Sequence, residues 1–227
     1  MEIIFWISLI IIIYTYLGYG FILYVLIRIR RLTKGRRPEI IFETKDLPSC
    51  TLIIAAYNEE EIIRHKVRNT LALNYPKDRL NILFITDGST DKTPDILAEY
   101  PEIKLMHESK RSGKVAAMHR AVQQVQSEII IFTDANTELN KDALSYIARH
   151  YADKNIGAVA GEKRVKIEDL ADAGTAGEGF YWKYESTLKK WDSELYSVVG
   201  AAGELFSVRR ELYQPVEDDT ILDDFMI

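Results

Sequence analysis

The chain of 227 residues predicts an α/β fold, a mostly parallel sheet with flanking helices, preceded by one N-terminal transmembrane helix. Three observations carry that prediction. Short runs rich in Ile, Leu, Phe and Thr recur at 51–57, 81–86 and 129–133, the pattern of strands buried on both faces of a parallel sheet. Stretches with helical spacing separate these runs, as crossover helices do. Ile3 to Ile27 contains no charged residue.

The elements follow in order. At about 1.5 Å per residue, the apolar run from Ile3 to Ile27 exceeds the ~30 Å hydrocarbon core of a bilayer. Glu2 precedes it and Arg28, Arg30, Arg31, Lys34, Arg36 and Arg37 follow it. A signal peptide would have the reverse charge order, a shorter core and a small-residue cleavage site. The basic flank places the residues after the helix in the cytoplasm and the N-terminus outside. The expected organisation is a single-pass span at 1–27, a basic juxtamembrane linker at 28–48 and an α/β domain at 49–227. Tyr14, Tyr16, Tyr19 and Tyr24 are numerous for a span, and fit packing against other helices or an interfacial tilt.

Beyond the linker, Ile62, Ile63, Val67, Leu71 and Leu73 give a helix from Glu59 to Leu73, closed by Tyr75-Pro76. Ser89-Thr-Asp91 followed by Pro94 starts the next helix, with Ile96 and Leu97 on its buried side. Ile103 to Met106 reads as a short strand. Ser112 is expected to cap a helix burying Val115, Met118, Ala121, Val122 and Val125. A helix from Lys141 to Tyr151 and a strand from Ile156 to Ala160 come next. From Gly161 the rhythm changes: 165–179 reads as loop, 180–195 as an amphipathic helix, and 198–210 as a glycine-punctuated strand region. The apolar, acidic ending at Leu222-Asp223-Asp224-Phe225-Met226-Ile227 reads as an interrupted domain.

Composition narrows the function. A net charge of −5, with no basic helix interleaved with aromatics, argues against a nucleic-acid binder. The single cysteine, Cys50, excludes an internal disulfide and a multi-cysteine zinc site, and reads as a small buried hydrophobe. The four histidines lack metal-ligand spacing.

Each long apolar run stops at a polar cluster: Asn58-Glu59-Glu60, Asp87-Gly88-Ser89-Thr90-Asp91 and Asp134-Ala135-Asn136. In open α/β sheets, ligands bind beyond the carboxyl ends of the strands. Asp134 and Asn136 offer two oxygens suited to Mg²⁺ or Mn²⁺, cations that bridge protein carboxylates to substrate phosphates; Asn136 or Thr137 also suits a helix N-cap. Asp87 follows directly on a buried run, where a carboxylate requires a partner, and a nucleobase N–H would serve. Lys110-Arg-Ser-Gly-Lys114 lacks the earlier glycine and the following Ser/Thr of a Walker loop. It remains a cationic loop opening a helix, either an anion site or a solvated turn.

Taken together, Ala55-Ala-Tyr-Asn-Glu-Glu60, Asp87-Gly-Ser-Thr-Asp91, Arg111-Ser-Gly-Lys114, Asp134-Ala-Asn136, Gly200-Ala-Ala-Gly-Glu-Leu-Phe-Ser-Val-Arg-Arg210 and Leu222-Asp-Asp224 resemble, in order, the motifs of family-2 glycosyltransferases. The likeness runs from about Ser49 to the last residue. With its preceding membrane helix, the chain is similar to the membrane-bound polysaccharide synthases of that family, such as cellulose, chitin and poly-N-acetylglucosamine synthases. The resemblance implies a GT-A fold, a nucleotide-sugar donor (usually a UDP-sugar), a divalent Mg²⁺ or Mn²⁺ ion, and a glycan or lipid acceptor. It places Ala56, Tyr57 and Glu59 at the nucleoside, Asp87 on the uracil ring, Lys114 near the nucleotide, and Asp134 and Asn136 at ribose and metal-bound diphosphate. Asn136 stands where the family has a second carboxylate, which implies weaker metal affinity. Gly200, Ala201 and Gly203 would admit the acceptor, and Asp224, beside Asp223, would be the general base of an inverting transfer that forms a β-glycoside.

Processive members carry a Gln-x-x-Arg-Trp motif and more membrane helices after the base, whereas this chain ends three residues past Asp224. The expectation is a piece of a longer protein. The competing expectation is a non-catalytic, membrane-tethered module that binds nucleotide sugar and needs a partner subunit for the missing part. A Mg²⁺-dependent phosphotransferase with a strand-end aspartate nucleophile is a distant third.

Overall fold

A computed structural model of the chain describes residues 2–35, 47–163, 173–198, 200, 203–217 and 220. The chain packs as two units, one built on the N-terminal helix and a later helix, the other on the sheet.

In the first unit one continuous helical stretch runs from Glu2 to Lys34, about 50 Å at the helical rise. It comprises α1 (Glu2–Ile13), one π-helical segment at Tyr14–Gly18, and α2 (Tyr19–Lys34). By length and composition it is apolar enough to cross a bilayer. Arg28, Arg30, Arg31 and Lys34, expected in a polar connector, are therefore carried on α2, which stops at Gly35 with φ of 70°. The helix α3 (Ile63–Leu71) belongs to the sheet unit; the partner of α2 is α7 (Ala173–Leu195). That helix begins before residue 180, inside the segment 165–179 expected as loop; residues 164–172 lie outside the described ones.

The side chains of Tyr19 and Tyr24, and the backbone of Tyr16, engage α7. Tyr19 donates to Asp192 at 2.6 Å, Tyr184 donates to the carbonyl of Tyr16 at 2.6 Å, and Tyr24 meets Trp191 with ring centroids 5.8 Å apart. Of the two sequence readings, helix packing is the one observed. Arg31 closes the end of the pair as a two-pronged ion pair with Glu194, at 2.9 and 2.7 Å.

The second unit is a six-stranded sheet of β1 (Cys50–Ala56), β2 (Leu80–Asp87), β3 (Lys104–Glu108), β4 (Ile129–Asp134), β5 (Ala158–Ala160) and β6 (Leu205–Arg209). The order is β3-β2-β1-β4-β6-β5. The first four strands pair in parallel, while β6 runs antiparallel to both β4 and β5. Strand alternation splits the core. Leu52, Ile54, Phe84 and Ile131 pack towards α3, α4 (Thr93–Ala98) and α6 (Ala143–Ala148). Ile53, Ile85, Ile130 and Phe132 pack towards α5 (Lys114–Gln123) and β6.

The helices are shorter than their apolar spacing suggests. α3 starts at Ile63, not Glu59: the residues before it form a turn in which the Ile62 and Ile63 N–H groups bond the Glu59 carbonyl at 3.0 and 2.9 Å, while the N–H groups of Glu59 and Glu60 bond the side chains of Thr93 and Asp91 at 2.8 and 3.0 Å. The expected helix 141–151 is α6 followed by a 3-10 turn at Arg149–Ala152. Ser112 does not cap α5: that helix follows Gly113, and the Ser112 N–H is directed elsewhere. Cys50 is fully buried against Tyr75, as a small core residue should be.

Candidate active site

The chain leaves β1 for β2 and β3 on one side and returns to β4 on the other, so a topological switch point lies between β1 and β4. Ligands of open α/β sheets bind in the crevice beyond the strand ends at such a point. In register, Ala55 is opposite Asp134 and Ala56 is opposite Thr86, so the three strand-end motifs emerge side by side. Beyond them opens a cleft of about 300 Å³. Ala56, Tyr57, Glu59, Asp87, Lys114, Asp134 and Asn136, all named from sequence as nucleotide or metal residues, line it together. Gly203 lines a smaller adjoining pocket with Lys114 and Asp134. Ala201, Asp223 and Asp224 lie outside the described residues; Gly200 is described, with φ of 74°.

Local sequence explains how the rim holds its shape. Asn58 takes the left-handed conformation (φ 54°), tolerable because its side-chain oxygen accepts from the Thr90 N–H at 2.8 Å. Asp91 accepts from the N–H groups of Glu60 and Thr93, both at 3.0 Å, and Glu60 accepts from Lys92 at 3.0 Å. The first and second motifs are thus tied to one another, and Asp91 works as a fastener of the rim.

Asp87 is 7% exposed, and its partner is the chain itself. One carboxylate oxygen accepts from the N–H groups of Ser112 and Gly113 at 2.6 and 2.7 Å, and the other from Arg120 at 2.7 Å. Burial alone would raise this carboxyl, but Arg120 and the two N–H groups outweigh it and hold Asp87 below the usual carboxylate range. This arrangement seats the cationic loop 111–114 on the end of β2. Arg111 then lies over the Tyr57 ring, 4.0 Å from its centroid, at the mouth of the cleft. Lys114 pairs with Asp134 at 3.0 Å. Burial, then the negative charges of Asp91 and Asp134, push the Glu59 carboxyl above its ordinary range.

Three residues were not singled out from sequence. Arg111 stood inside a quoted motif and its sign alone marked it as a candidate. Arg120 sits on the exposed side of a helical pattern, where a charge is unremarkable. Lys66 interrupts the apolar face of α3, and that interruption was the available signal.

Asp134 and Asn136 fit a hard divalent cation in chemical type: one carboxylate and one amide oxygen, with further ligands to come from water or phosphate. Among the described residues no group of three or more His, Cys, Asp or Glu side chains forms a self-sufficient metal cage. Such a cation would therefore depend on the ligand for much of its coordination.

The sequence model of the family described as Glycosyl transferase family 2 matches residues 51–216. Beta-monoglucosyldiacylglycerol synthase of Nostoc sp. is 31% identical over 194 residues, spanning 78% of this chain and 40% of that protein. Poly-beta-1,6-N-acetyl-D-glucosamine synthase of Staphylococcus aureus is 29% identical over 151 residues, spanning 65% of this chain and 36% of that protein. The chain thus covers less than half the length of these curated relatives. Among solved structures, the mannosyltransferase PcManGT from Pyrobaculum calidifontis, in complex with GDP-Man and Mn²⁺, superposes with a TM-score of 0.73 at 26% identity. That match covers 95% of this chain and 60% of the other.

Proposed function

This chain belongs to glycosyl transferase family 2, and on that premise we propose that it is the donor-binding part of a membrane-anchored inverting glycosyltransferase. It takes a UDP-sugar and forms a β-glycosidic bond to a lipid or glycan hydroxyl. The observation that carries this reading is the meeting of seven motif residues, spread from Ala56 to Asn136, in one cleft at the switch point of the sheet.

Tyr57 and Arg111 supply a flat apolar and cationic mouth suited to a nucleobase, with Asp87 behind them. Lys114 and Asp134 sit where a diphosphate and ribose would follow. Asp134 and Asn136 would hold a divalent cation, which when bound offsets charge on the departing diphosphate. Asp224 takes the proton from the acceptor hydroxyl as that oxygen attacks the anomeric carbon from the face opposite the leaving group. The relatives named for glucosyl-diacylglycerol and poly-N-acetylglucosamine synthesis support a lipid or glycan acceptor. The apolar helix supports work at a membrane, with the cleft on the cytoplasmic side.

The test is a donor panel. The full chain in detergent, with Mn²⁺ and a diacylglycerol or glycan acceptor, is offered labelled UDP-glucose, UDP-N-acetylglucosamine and GDP-mannose. Transfer or donor hydrolysis with a UDP-sugar is the expected result. Binding of UDP without turnover makes the chain a donor-binding module that requires a partner. A preference for GDP-mannose overturns the UDP assignment.

A further inference from the structure

Lys66 is 1% exposed, among the largest fully buried side chains, and stands on the core face of α3 with Ile63, Val67 and Thr70. Its Nζ donates to the carbonyl of Thr137 at 2.6 Å and reaches Thr133 Oγ1 at 3.5 Å. Thr133 in turn donates to the carbonyl of Glu204 at 2.8 Å, and the Thr137 N–H bonds the carbonyl of Asp134. Its ammonium therefore grips the strand-end turn 133–137 at both of its ends, the turn that presents Asp134 and Asn136 to the cleft.

Among the described residues, no carboxylate forms an ion pair with Lys66. A buried ammonium without a paired countercharge is costly, and an apolar residue of similar length would fill the space at less cost. Burial pushes the Lys66 ammonium down to about 8, with Asp134 acting in the opposite sense. Asn136 contributes no negative charge on the cleft side of this turn. Lys114 adds a second positive charge at 3.0 Å from Asp134.

We propose that Lys66 is a positioning residue for the phosphate part of the ligand, holding the 133–137 turn from beneath and placing a buried positive charge under it. This rests on the nucleotide-sugar reading above and assigns the charge compensation of that same site. An anionic diphosphate against the turn adds negative charge beyond that of Asp134, which Lys114 already pairs at 3.0 Å.

The experiment compares UDP with uridine, which lacks the phosphates, on the full chain in detergent. Binding is followed by calorimetry and ligand-observed NMR. In Lys66→Met, UDP binding is expected to weaken about tenfold while uridine stays within about twofold, the order expected of one nearby unit charge at a protein-like dielectric. Lys66→Arg, which keeps the charge, is expected to preserve the UDP-to-uridine ratio and provides the reading if the methionine variant does not fold. Equal weakening of both ligands in Lys66→Met, or no change in either, overturns the proposal, as does a lost ratio in a folded Lys66→Arg. If the parent chain binds neither UDP nor GDP, the nucleotide-sugar reading falls first and this one with it; if it binds GDP alone, the same comparison is made with GDP and guanosine.

Discussion

At Gly88 the backbone has φ of 71°, and an added Cβ would stand 2.6 Å from the Cβ of Arg111 and 2.8 Å from its backbone. Both the conformation and the close approach of the cationic loop require a missing side chain. Gly88→Ala is expected to cost about 1–3 kcal/mol in thermal unfolding and to weaken UDP binding, because the loop must lift from the end of β2. Asp87 is coupled to the same loop through charge. Its folded pKa is depressed, so its contribution is fully present above the unfolded value of about 3.9 and disappears as pH falls through the lower folded value. Arg120→Met removes one of the groups that depress it. That variant should lose about 1.5–3 kcal/mol at neutral pH, and the acid limb of its stability profile should move to higher pH. Urea unfolding at a series of pH values checks both effects.

At the scale of elements, the helix starts were less legible than the helices. The apolar spacing of α3 was legible, but the residues before it close as a turn on the Glu59 carbonyl, tied to side chains of the neighbouring loop, and the helix begins at Ile63. Ser112 is displaced from its expected capping role because Gly113 stands at the N-cap of α5, one position later in the chain. The pair α2 and α7 belongs to a different unit and should respond separately. A Cβ at Gly20 would meet Tyr184 Oη at 2.7 Å and Leu188 at 3.3 Å. Gly20→Leu is therefore expected to loosen that pair by about 1–3 kcal/mol. Hydrogen exchange should show faster amides in α7 and unchanged protection in β1 and β4; equal loosening of the sheet would show the two units to be coupled.

At the scale of the molecule, the proposed reaction sets one spatial requirement: its base, Asp224, would have to reach a cleft built by the first four strands. We expect Asp224→Asn to leave UDP affinity nearly intact while turnover falls by about two to four orders of magnitude, the usual worth of a general base. Steady-state rates beside calorimetric affinities measure the two effects separately, and unchanged turnover removes Asp224 from that role.

Sequence alone determined the strands β1, β2 and β4, their acidic ends and the apolar N-terminal helix, because burial and periodicity are written within a few consecutive residues. Parallel strands necessarily carry their carboxyl ends to one edge of the sheet, so the strand-end clusters were expected together; the resemblance to a known family added Ala56, Tyr57, Glu59 and Lys114, which line the same cleft. Only the tertiary structure decided who satisfies whom. Asp87 meets Arg120 across 33 residues, and Lys66 meets Thr137 across 71. No local pattern encodes such partnerships. A buried charge selects its partner by distance and desolvation, and both exist only once the layers have packed.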